Sequence, residues 1–546
     1  MTAQQKSYIG LRGKWLNHAV AFIAGVGFFL FGYDQGVMGG LLTLDTFVTT
    51  FPQMDSTSSH LTQAEKSYNA TIQGVVISIY EIGCMIGALS CMWIGDRLGR
   101  RWTIFVGSGI MIVGAALQFS AFSLAQMTVG RIVTGLGNGL ITATVPTWQS
   151  ECAKPETRGK LVMSSGALVT CGIALSNWID LGFYFVDGQI NWRFPVSVQV
   201  LFAVFLMAFV LYLPESPRWL IKKGNYEEAI NVFAALAGVD HDNPLITDEV
   251  NEVRASLDEE SHMSFAKIFD TKSKKKHFHR TMLAVGVLIA NQLGGINIIS
   301  YYAAYVYENS IKLSPLNSKI LAAVSQTEYC VAAWVPFFII EKVGRRNLML
   351  WGSVGLVIFL AIITGTVHAS DQGNTKAGIA SVVMIFMYDT CFAIGWSSPP
   401  WLYAPEILSL DVRAPAAALA TACNWVFNFM VVMVTPVSIT NIGAFSYLIW
   451  CAISAVIVWP TIYFFYPETT GRSLEEIDMI FERSNGRTPW DVVRIARELP
   501  KQETADKVLQ QVGPFIPHDD NLEDKPVASY VDNVNEKSES VSSNRD

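Results

Sequence analysis

The sequence predicts an all-α membrane protein whose twelve transmembrane helices form two pseudo-symmetric six-helix bundles, and three observations support this fold class. The 546-residue chain is 51% hydrophobic and only 16% charged, whereas a soluble chain usually carries about 25% charged residues. It contains twelve apolar runs of the length that crosses a bilayer, about 20 residues. Short charged motifs of the first half also recur in the second half at a nearly constant offset.

The apolar runs divide the chain into two groups of six, separated by a long polar stretch. We expect the spans near 18–41, 70–94, 103–122, 126–149, 161–183, 194–214, 281–307, 317–340, 348–369, 377–405, 412–437 and 444–466. The predicted domains are a cytosolic N-terminus at 1–17, an N-terminal bundle at 18–214, a helical cytosolic linker at 215–280, a C-terminal bundle at 281–466 and a cytosolic tail at 467–546. The end of the tail is polar and cannot bury enough apolar surface to fold, so we expect it to be disordered.

Lysine and arginine residues concentrate in the loops on one side of the predicted bundles. Arg97, Arg100 and Arg101 follow the second span, and similar groups follow the fourth, sixth and eighth spans, whereas the loops on the other side are nearly bare. Positive loops face the cytosol, so both termini are predicted to be cytosolic. The stretch 43–69 then lies outside, and Asn69 in Asn69-Ala-Thr71 is a candidate glycosylation site.

Three motif pairs repeat between the halves. Asp96-Arg-Leu-Gly-Arg-Arg101 matches Glu341-Lys-Val-Gly-Arg-Arg346, Glu151 with Arg158 matches Glu406 with Arg413, and Pro214-Glu-Ser-Pro-Arg218 matches Pro467-Glu-Thr-Thr-Gly-Arg472. The offsets of 245, 255 and 253 residues indicate a duplicated six-span unit, and two such units around a central site are typical of secondary transporters.

The acids and arginines of these loops can pair across helices at the inner face. Such clusters would favour the outward-open state and would break when the inner side opens. The alternative, that these loops only set the topology, explains the arginines but not the acids. The predicted gating residues are Asp96, Arg100, Arg101, Glu151, Arg158, Glu341, Arg345, Arg346, Glu406 and Arg413.

Two opposite charges are predicted to meet inside the first bundle. Asp34 lies 16 residues beyond His18, which is about 24 Å above the inner face at 1.5 Å per residue. Arg131 is five residues into the inward-running fourth span, about 22 Å above the inner face of a 30 Å core. A carboxylate that alternates between an arginine and a proton is a workable proton site, although a static ion pair is the alternative. Glu81 and Glu328, also at middle depths, are further candidates for a proton path.

Polar side chains near the midplane of the second bundle predict a binding site for a hydroxylated solute. Asn291 and Gln292 lie near the middle of the seventh span, Asn297 lies nearly two turns further out, and Asn424 and Trp425 lie at a similar depth in the eleventh. Amide groups supply donors and acceptors, and an indole supplies a flat apolar face. The alternative is that these amides only bond one helix to another.

Taken together, these motifs resemble the sugar porter family of the major facilitator superfamily over roughly Leu11 to Arg483. The resemblance rests on the paired loop motifs and on Phe31-Gly-Tyr-Asp-Gln-Gly36, Gln292…Gly295-Ile-Asn297…Tyr301-Tyr302 and Cys423-Asn-Trp-Val-Phe-Asn428. Within the family the sequence is most similar to fungal sugar and polyol proton symporters, including glycerol symporters.

The resemblance implies proton-coupled import of a sugar or polyol, glycerol-like or a hexose, by alternating access. It implies that the chain has the major facilitator fold, with Asp34 as the proton-linked acid and Arg131 as its partner. The substrate contacts that it implies are Asn291, Gln292, Asn297, Tyr301, Trp401, Asn424 and Trp425. It adds to the gating network the residues Glu215, Arg218, Glu468 and Arg472.

The sequence departs from the family at some hexose contacts. A glutamine usual in the fifth span is Gly166 here, and an asparagine usual in the eighth falls near Tyr329. These changes weaken a hexose assignment and favour a smaller or differently shaped solute.

Other classes of function are disfavoured. No hydrolytic triad or phosphate-binding loop is visible, so we expect neither an enzyme nor a cofactor, and no basic surface predicts a nucleic-acid partner. The eight cysteines lie in apolar runs without metal-ligand spacing, so we expect no metal site and no disulfide framework. The expected partners are the small polar solute, protons and membrane lipid, for a chain that works as a monomer in the plasma membrane. The alternatives that remain are an uncoupled sugar facilitator and a non-transporting nutrient sensor.

Overall fold

The computed structural model describes residue 8 and residues 10–153, 158–240, 243–260, 265–409, 412–484, 488 and 490–499. Within these ranges the chain is almost entirely helical, and the β-structure found there is a single bridge between Tyr8 and Leu11. The described residues belong to one compact unit, Met1–Leu499. The predicted disorder at the end of the tail falls outside the described residues.

Twelve helices follow the order of the predicted spans, and each overlaps one of them. Those of the N-terminal half are α1 (Lys14–Leu41), α2 (Gln63–Leu98), α3 (Arg100–Phe119), α4 (Leu124–Cys152), α5 (Arg158–Tyr184) and α6 (Ile190–Val210). Those of the C-terminal half are α7 (His277–Leu293), α8 (Pro315–Ala333), α9 (Arg345–Asp371), α10 (Thr375–Phe392), α11 (Arg413–Ile442) and α12 (Phe445–Ile453). Three of the spans contain a local irregularity and continue as further helical segments. The segment after α8 is Val335–Val343. Those after α10 are Ala393–Ser397 and Pro399–Ile407, and those after α12 are Ser454–Val458 and Trp459–Phe465.

Ten of these spans, in the part of the chain that is described, are long and apolar enough to cross a membrane. The other two are α4 and α7. Helix α4 is less apolar because it carries Arg131 and several threonines, and α7 is only 17 residues long. Both of these helices supply polar residues to the centre of the molecule, so their lower hydropathy is connected with the site described below.

Shorter helices lie in the connections. On the side of the α1–α2 loop, hereafter the outer side, they are Asp45–Thr50 and Pro52–Met54. Between the halves they are Pro217–Lys222, Tyr226–Ala237, Pro244–Glu260 and Phe265–Ile268, and after α12 they are Leu474–Arg483 and Asp491–Glu498. Local sequence signals start several elements: Thr62 and Glu65 form a capping box at the start of α2, and Ser314 caps α8 just before Pro315, both favourable helix starts.

The seventh span is broken, whereas the sequence predicted a continuous helix over 281–307. Helix α7 ends at Leu293, and Gly295 has a φ of +85°, a conformation that side chains other than glycine rarely adopt. The chain resumes as the short helices Asn297–Ser300 and Ala303–Tyr305 and a π-helical turn, Val306–Ser310. The apolar residues beyond the break concealed it in the sequence.

Close helix packing in the first half depends on small residues. A Cβ at Gly32 of α1 would lie 1.9 Å from the carbonyl oxygen of Val169 in α5, and one at Gly135 of α4 would lie 2.1 Å from the carbonyl oxygen of Tyr80 in α2. Small residues at helix contacts allow backbones to approach in this way. The first contact joins α1 to α5 and the second joins α4 to α2, and the buried charged pair described below joins α1 to α4.

Candidate functional site

Asp34 and Arg131 form a fully buried ion pair at the centre of the first half. Arg131 Nη1 lies 3.3 Å from Asp34 Oδ1, and both side chains are 0% exposed. Arg131 Nη2 also donates to the carbonyl oxygen of Ile77 (3.1 Å), and its guanidinium group lies 4.4 Å from the centre of the Tyr80 ring. Two charges in a medium of low dielectric attract strongly, so protonation of Asp34 would remove a large interaction.

An amide network occupies the centre of the second half. Gln292 Nε2 donates to Asn291 Oδ1 (3.1 Å) and to Asn424 Oδ1 (3.0 Å). Asn297 Nδ2 donates to Gln292 Oε1 (2.6 Å) and to Asn428 Oδ1 (2.7 Å). All five side chains are buried, so the structure brings together four of the predicted substrate contacts and one residue, Asn428, that was not predicted.

The two centres are joined through α1. Gln35 Nε2 donates to Asn297 Oδ1 at 3.0 Å, and Gln35 directly follows Asp34 in the chain. A second link crosses between the halves where the Tyr301 hydroxyl donates to Glu81 Oε1. The ion pair of the N-terminal half and the amide network of the C-terminal half are therefore parts of one polar centre.

Several buried polar atoms at this centre have no hydrogen-bond partner among the described residues. They include Trp425 Nε1, Glu81 Oε2 and Asn138 Oδ1. The Trp425 ring packs edge-on against Phe31, with ring centres 5.6 Å apart. Unpaired buried donors and acceptors are costly, and here they would suit the hydroxyl groups of a small solute beside an aromatic face.

The predicted tryptophan Trp401 is not placed in the amide network. It is 37% exposed, whereas the fully buried Trp396 accepts a bond from Asn291 Nδ2 at its carbonyl oxygen (2.6 Å) and donates from its indole to Ser353 Oγ (3.1 Å). The π-helical turn Ala393–Ser397 lies between α10 and Trp401, and the prediction of Trp401 rested on the family resemblance alone.

Sequence reasoning missed four residues of the polar centre, namely Gln35, Tyr80, Asn138 and Asn428. Asn138 Nδ2 donates to the Tyr80 hydroxyl at 2.5 Å. One signal was available for Asn428, because it lies four residues after Asn424 and therefore on the same helix face. Gln35 and Tyr80 adjoin the predicted acids in the sequence, but adjacent residues of a helix point in different directions, so this position did not show what their side chains contact.

The repeated loop motifs form two nearly identical clusters, which we call the loop clamps. In the N-terminal clamp, Glu215 Oε1 and Oε2 accept from the backbone N–H groups of Arg100 (3.0 Å) and Arg101 (3.1 Å), and the Arg100 side chain binds both oxygens of Glu151 at 2.9 Å. Asp96 lies 3.8 Å from Arg100. Burial raises the pKa of the Glu215 carboxyl, and the backbone N–H donors partly oppose this rise.

The C-terminal clamp repeats this geometry. Glu468 accepts from the backbone N–H groups of Arg345 (3.0 Å) and Arg346 (3.1 Å). The Arg345 side chain binds Glu406 (3.0 Å) and Glu341 (2.7 Å). In both clamps the ion pairs join residues of the same half. The sequence analysis expected these pairs to favour the outward-open state, which stays a prediction. Their geometry favours a role in fixing the helix ends, because a carboxylate at a helix N-terminus stabilises it.

The remaining predicted loop residues have varied placements. Arg413 Nη2 donates to the carbonyl oxygen of Leu408 (3.1 Å), and Arg472 Nη2 donates to that of Leu499 (2.9 Å). Arg218 lies in the short helix Pro217–Lys222. Arg158 begins α5, and its side chain falls outside the described residues.

Contacts on the outer side join the two halves. Lys319 of α8 is 2% exposed, and its ammonium group donates to the carbonyl oxygen of Gly40 (2.9 Å) and to the Thr43 hydroxyl. A Cβ at Gly40 would lie 2.3 Å from Asp180 Oδ2, so this acid lies at the same place. The hydroxyl groups of Ser56 and Tyr305 also bond across the halves at 3.0 Å. The structure is therefore closed on the outer side at these contacts.

The candidate glycosylation site Asn69 lies at the outer side with its side chain turned into the fold. The side chain is 9% exposed, and its Nδ2 donates to the carbonyl oxygen of Asp55 at 2.7 Å. This nitrogen is also the atom to which a glycan would attach, and glycosylation at Asn69 stays a prediction.

Comparison with known proteins identifies the family. The model of the family described as "Sugar (and other) transporter" matches residues 20–481. The sugar transporter STL1 of Saccharomyces cerevisiae is 37% identical over 525 residues, which cover 95% of this chain and 90% of that protein. The MFS-type transporter oryC of Aspergillus oryzae is 40% identical over 491 residues, which cover 89% of each chain.

A solved structure agrees with the architecture. One such structure is that of XylE of E. coli, described as a proton:xylose symporter of the major facilitator superfamily. It superimposes with a TM-score of 0.70 and is 23% identical in sequence. The match covers 85% of this chain and 99% of that chain. At this identity the likeness shows the fold alone. The predicted fold class of two six-helix bundles is confirmed, and the chain is a multi-pass membrane protein that belongs to the Sugar (and other) transporter family.

Proposed function

We propose that this transporter imports a small sugar or polyol together with protons, by alternating access, and that a glycerol-sized solute fits it better than a hexose. The observation that carries the proposal is the adjacency of Asp34 and Gln35. Asp34 binds Arg131 within the first half, and Gln35 binds Asn297 in the amide network of the second half. A change of charge at one residue is therefore transmitted to the solute site through its chain neighbour.

The amide network suits a hydroxylated solute. Each amide offers both donors and acceptors, and the side chains of Gln292 and Asn297 already bond to each other and to the neighbouring amides. A polyol can replace these mutual bonds one for one, so that binding leaves no buried group unpaired. The indole nitrogen of Trp425 supplies an additional free donor. The relative named as a sugar transporter supports the same solute class.

The ion pair suits proton coupling. When Asp34 is charged, its attraction to Arg131 holds α1 against α4. When Asp34 takes up a proton, the attraction is lost and α1 is free to shift relative to α4, because the Coulomb term disappears with the charge. Gln35 moves with α1 and alters its bond to Asn297. Proton uptake and solute binding thereby favour the same displacement, which is the requirement for coupling two ligands.

The test measures accumulation of labelled glycerol and glucose in cells that have no transporters of their own for these solutes. With one proton per cycle, a membrane potential of 100 mV supplies about 2.3 kcal/mol, which supports roughly 50-fold accumulation. The unmodified chain should accumulate labelled glycerol, alkalinise the medium and lose accumulation with a protonophore. Asp34→Asn should bring the ratio close to one while keeping exchange of labelled for unlabelled solute, which needs no net proton movement.

Asp389→Asn is the matched control, because Asp389 is an equally buried acid of the second half. It should leave accumulation unchanged. If the protonophore and Asp34→Asn have no effect on glycerol accumulation, the chain is an uncoupled facilitator. Proton-dependent uptake of glucose alone would preserve the mechanism and reject the smaller solute. The absence of both uptake and exchange would favour the sensor.

The proposal also includes a plasma-membrane location, cytosolic termini and function as a monomer. The arginine-rich clamp loops support this orientation, because positive loops remain in the cytosol. Protease protection of tags at each terminus in intact cells would measure it directly.

A further inference from the structure

Two cysteines from opposite halves lie in direct contact. Cys171 of α5 and Cys330 of α8 place their sulfur atoms 2.7 Å apart, and both are free thiols with partly exposed side chains. They lie 159 positions apart in the sequence, close to the midpoints of the two spans. The spacing of cysteines in the sequence predicted no disulfide framework, and nothing in the linear pattern indicated this pairing.

The contact between these helices is fixed at a second point. Trp178 Nε1 of α5 donates to Thr327 Oγ1 of α8 at 2.8 Å. Trp178 is two helical turns beyond Cys171, and Thr327 precedes Cys330 by three residues on the antiparallel partner. Both contacts join the same two antiparallel helices, and the second lies on the outer side of the first, so the sulfur contact is part of a longer interface between α5 and α8.

We propose that Cys171 and Cys330 form a reversible disulfide when a hydroperoxide oxidises them, and that this bond slows transport by fastening the two halves together. A disulfide has a sulfur–sulfur distance of about 2.04 Å, so the atoms need to approach by only about 0.7 Å. The inference about transport rests on the proposed function, whereas formation of the bond does not.

The reaction balances with the hydroperoxide as the oxidant. The thiol of one cysteine gives up its proton, and the thiolate attacks the terminal oxygen of the hydroperoxide. The O–O bond breaks, and the leaving alkoxide takes up that proton, so that a sulfenic acid and an alcohol form. The thiol of the second cysteine then attacks the sulfenic sulfur, and water leaves with the remaining proton. Two electrons pass from the two thiols to the peroxide, and a reducing dithiol restores both thiols by exchange.

The bond would act on the transport cycle because α5 and α8 belong to different halves. Rocking of one bundle against the other changes the distance between such helices, whereas a disulfide limits the distance between the two Cα atoms to about 4.4–6.8 Å. The oxidised chain would remain near the closed arrangement described here, and the exchange between transport states would slow.

The first experiment measures the bond itself. A protease site is inserted after Asp240, in the loop between the helices Tyr226–Ala237 and Pro244–Glu260, so that cleavage separates the halves. After treatment of membranes with tert-butyl hydroperoxide, the two fragments should migrate together on a non-reducing gel and separately after dithiothreitol. Cys171→Ser and Cys330→Ser should each abolish this linkage, whereas Cys423→Ser, a partly exposed cysteine elsewhere, should retain it. Separate fragments in the oxidised unmodified pair would overturn the proposal.

The second experiment measures solute uptake by the uncut chain. Hydroperoxide should slow exchange by about 5-fold or more, which corresponds to a barrier higher by about 1 kcal/mol, and dithiothreitol should reverse the effect. Both serine variants should resist the oxidant. If the fragments are linked but exchange is unchanged, the bond forms without controlling transport, and that part of the proposal is wrong. Equal inhibition of the serine variants would place the sensitive group elsewhere. A chain that carries no solute would still give the gel result, so failure of the proposed function is distinguishable.

Discussion

Replacing Lys319 by methionine removes the charged contact that closes the outer side. The ammonium group makes two hydrogen bonds to the first half, to the Gly40 carbonyl oxygen and the Thr43 hydroxyl. Hydrogen bonds with a charged partner contribute about 1.5–3 kcal/mol each. When the outer side opens, water replaces part of what the ammonium group loses. We therefore count the free energy of one hydrogen bond rather than two as the loss in Lys319→Met. The population of the outer-open state should then rise roughly 10- to 150-fold.

The rise can be measured by labelling. Gln326 lies on the same face of α8, two turns further along than Lys319, and is buried without a hydrogen-bond partner among the described residues. In Gln326→Cys, a membrane-impermeant maleimide should react only when the outer side opens. The chain without Gln326→Cys measures labelling of the native cysteines. Lys319→Met should accelerate labelling, and Lys319→Gln, which keeps a donor, should accelerate it less. An unchanged labelling rate in Lys319→Met would refute the reasoning.

Three further predictions concern other parts of the fold. Glu215→Gln and Glu468→Gln should each lower the thermal midpoint of the purified protein by a similar amount, because an amide can accept only one of the two backbone bonds, a loss of about 1.5–3 kcal/mol; a shift in only one variant would contradict the equivalence of the clamps. Asn428→Ala removes an acceptor from the amide network and should raise the half-saturating solute concentration roughly 2- to 12-fold in uptake assays, and an unchanged value would exclude it from the site. Gly32→Ala should prevent surface expression because its methyl group would lie 1.9 Å from a carbonyl oxygen of α5, whereas Gly109→Ala, whose methyl group meets no atom within 4 Å, should express normally.

The sequence predicted heights in the membrane better than directions around a helix. A rise of 1.5 Å per residue places Asp34 and Arg131 at one level, and the structure brings them into contact. The direction of Gln35 was not predicted, because its position next to Asp34 does not show which neighbouring helix its side chain contacts. A helix packed on all sides has no polar face to contrast with its core face. Which of its side chains point toward the site therefore depends on how the neighbouring helices pack.

Irregular backbone explains the other differences. The π-helical turn Ala393–Ser397 contains Trp396, whose carbonyl oxygen accepts the bond from Asn291, and Trp401 lies beyond this turn. The break at Gly295 interrupts a run that hydropathy reads as continuous. By contrast, the loop clamps were visible as repeats, because each needs the same glycine with positive φ, at Gly99 and Gly344, beside the same charged residues.

The break in the seventh span also acts as a joint. Beyond Leu293 two backbone hydrogen bonds join residues that are three apart rather than the four of a regular α-helix. The Gly295 N–H donates to the Gln292 carbonyl oxygen (3.0 Å), and the Ile298 N–H donates to that of Gly295 (3.1 Å). Bending at this point therefore breaks no regular helical bond, whereas a continuous helix would lose several. Gln292 and Asn297 lie on opposite sides of the joint and hold it through their side chains. If the proposed solute takes over those amide bonds, we expect the angle of the segment beyond Gly295 to depend on whether the site is occupied.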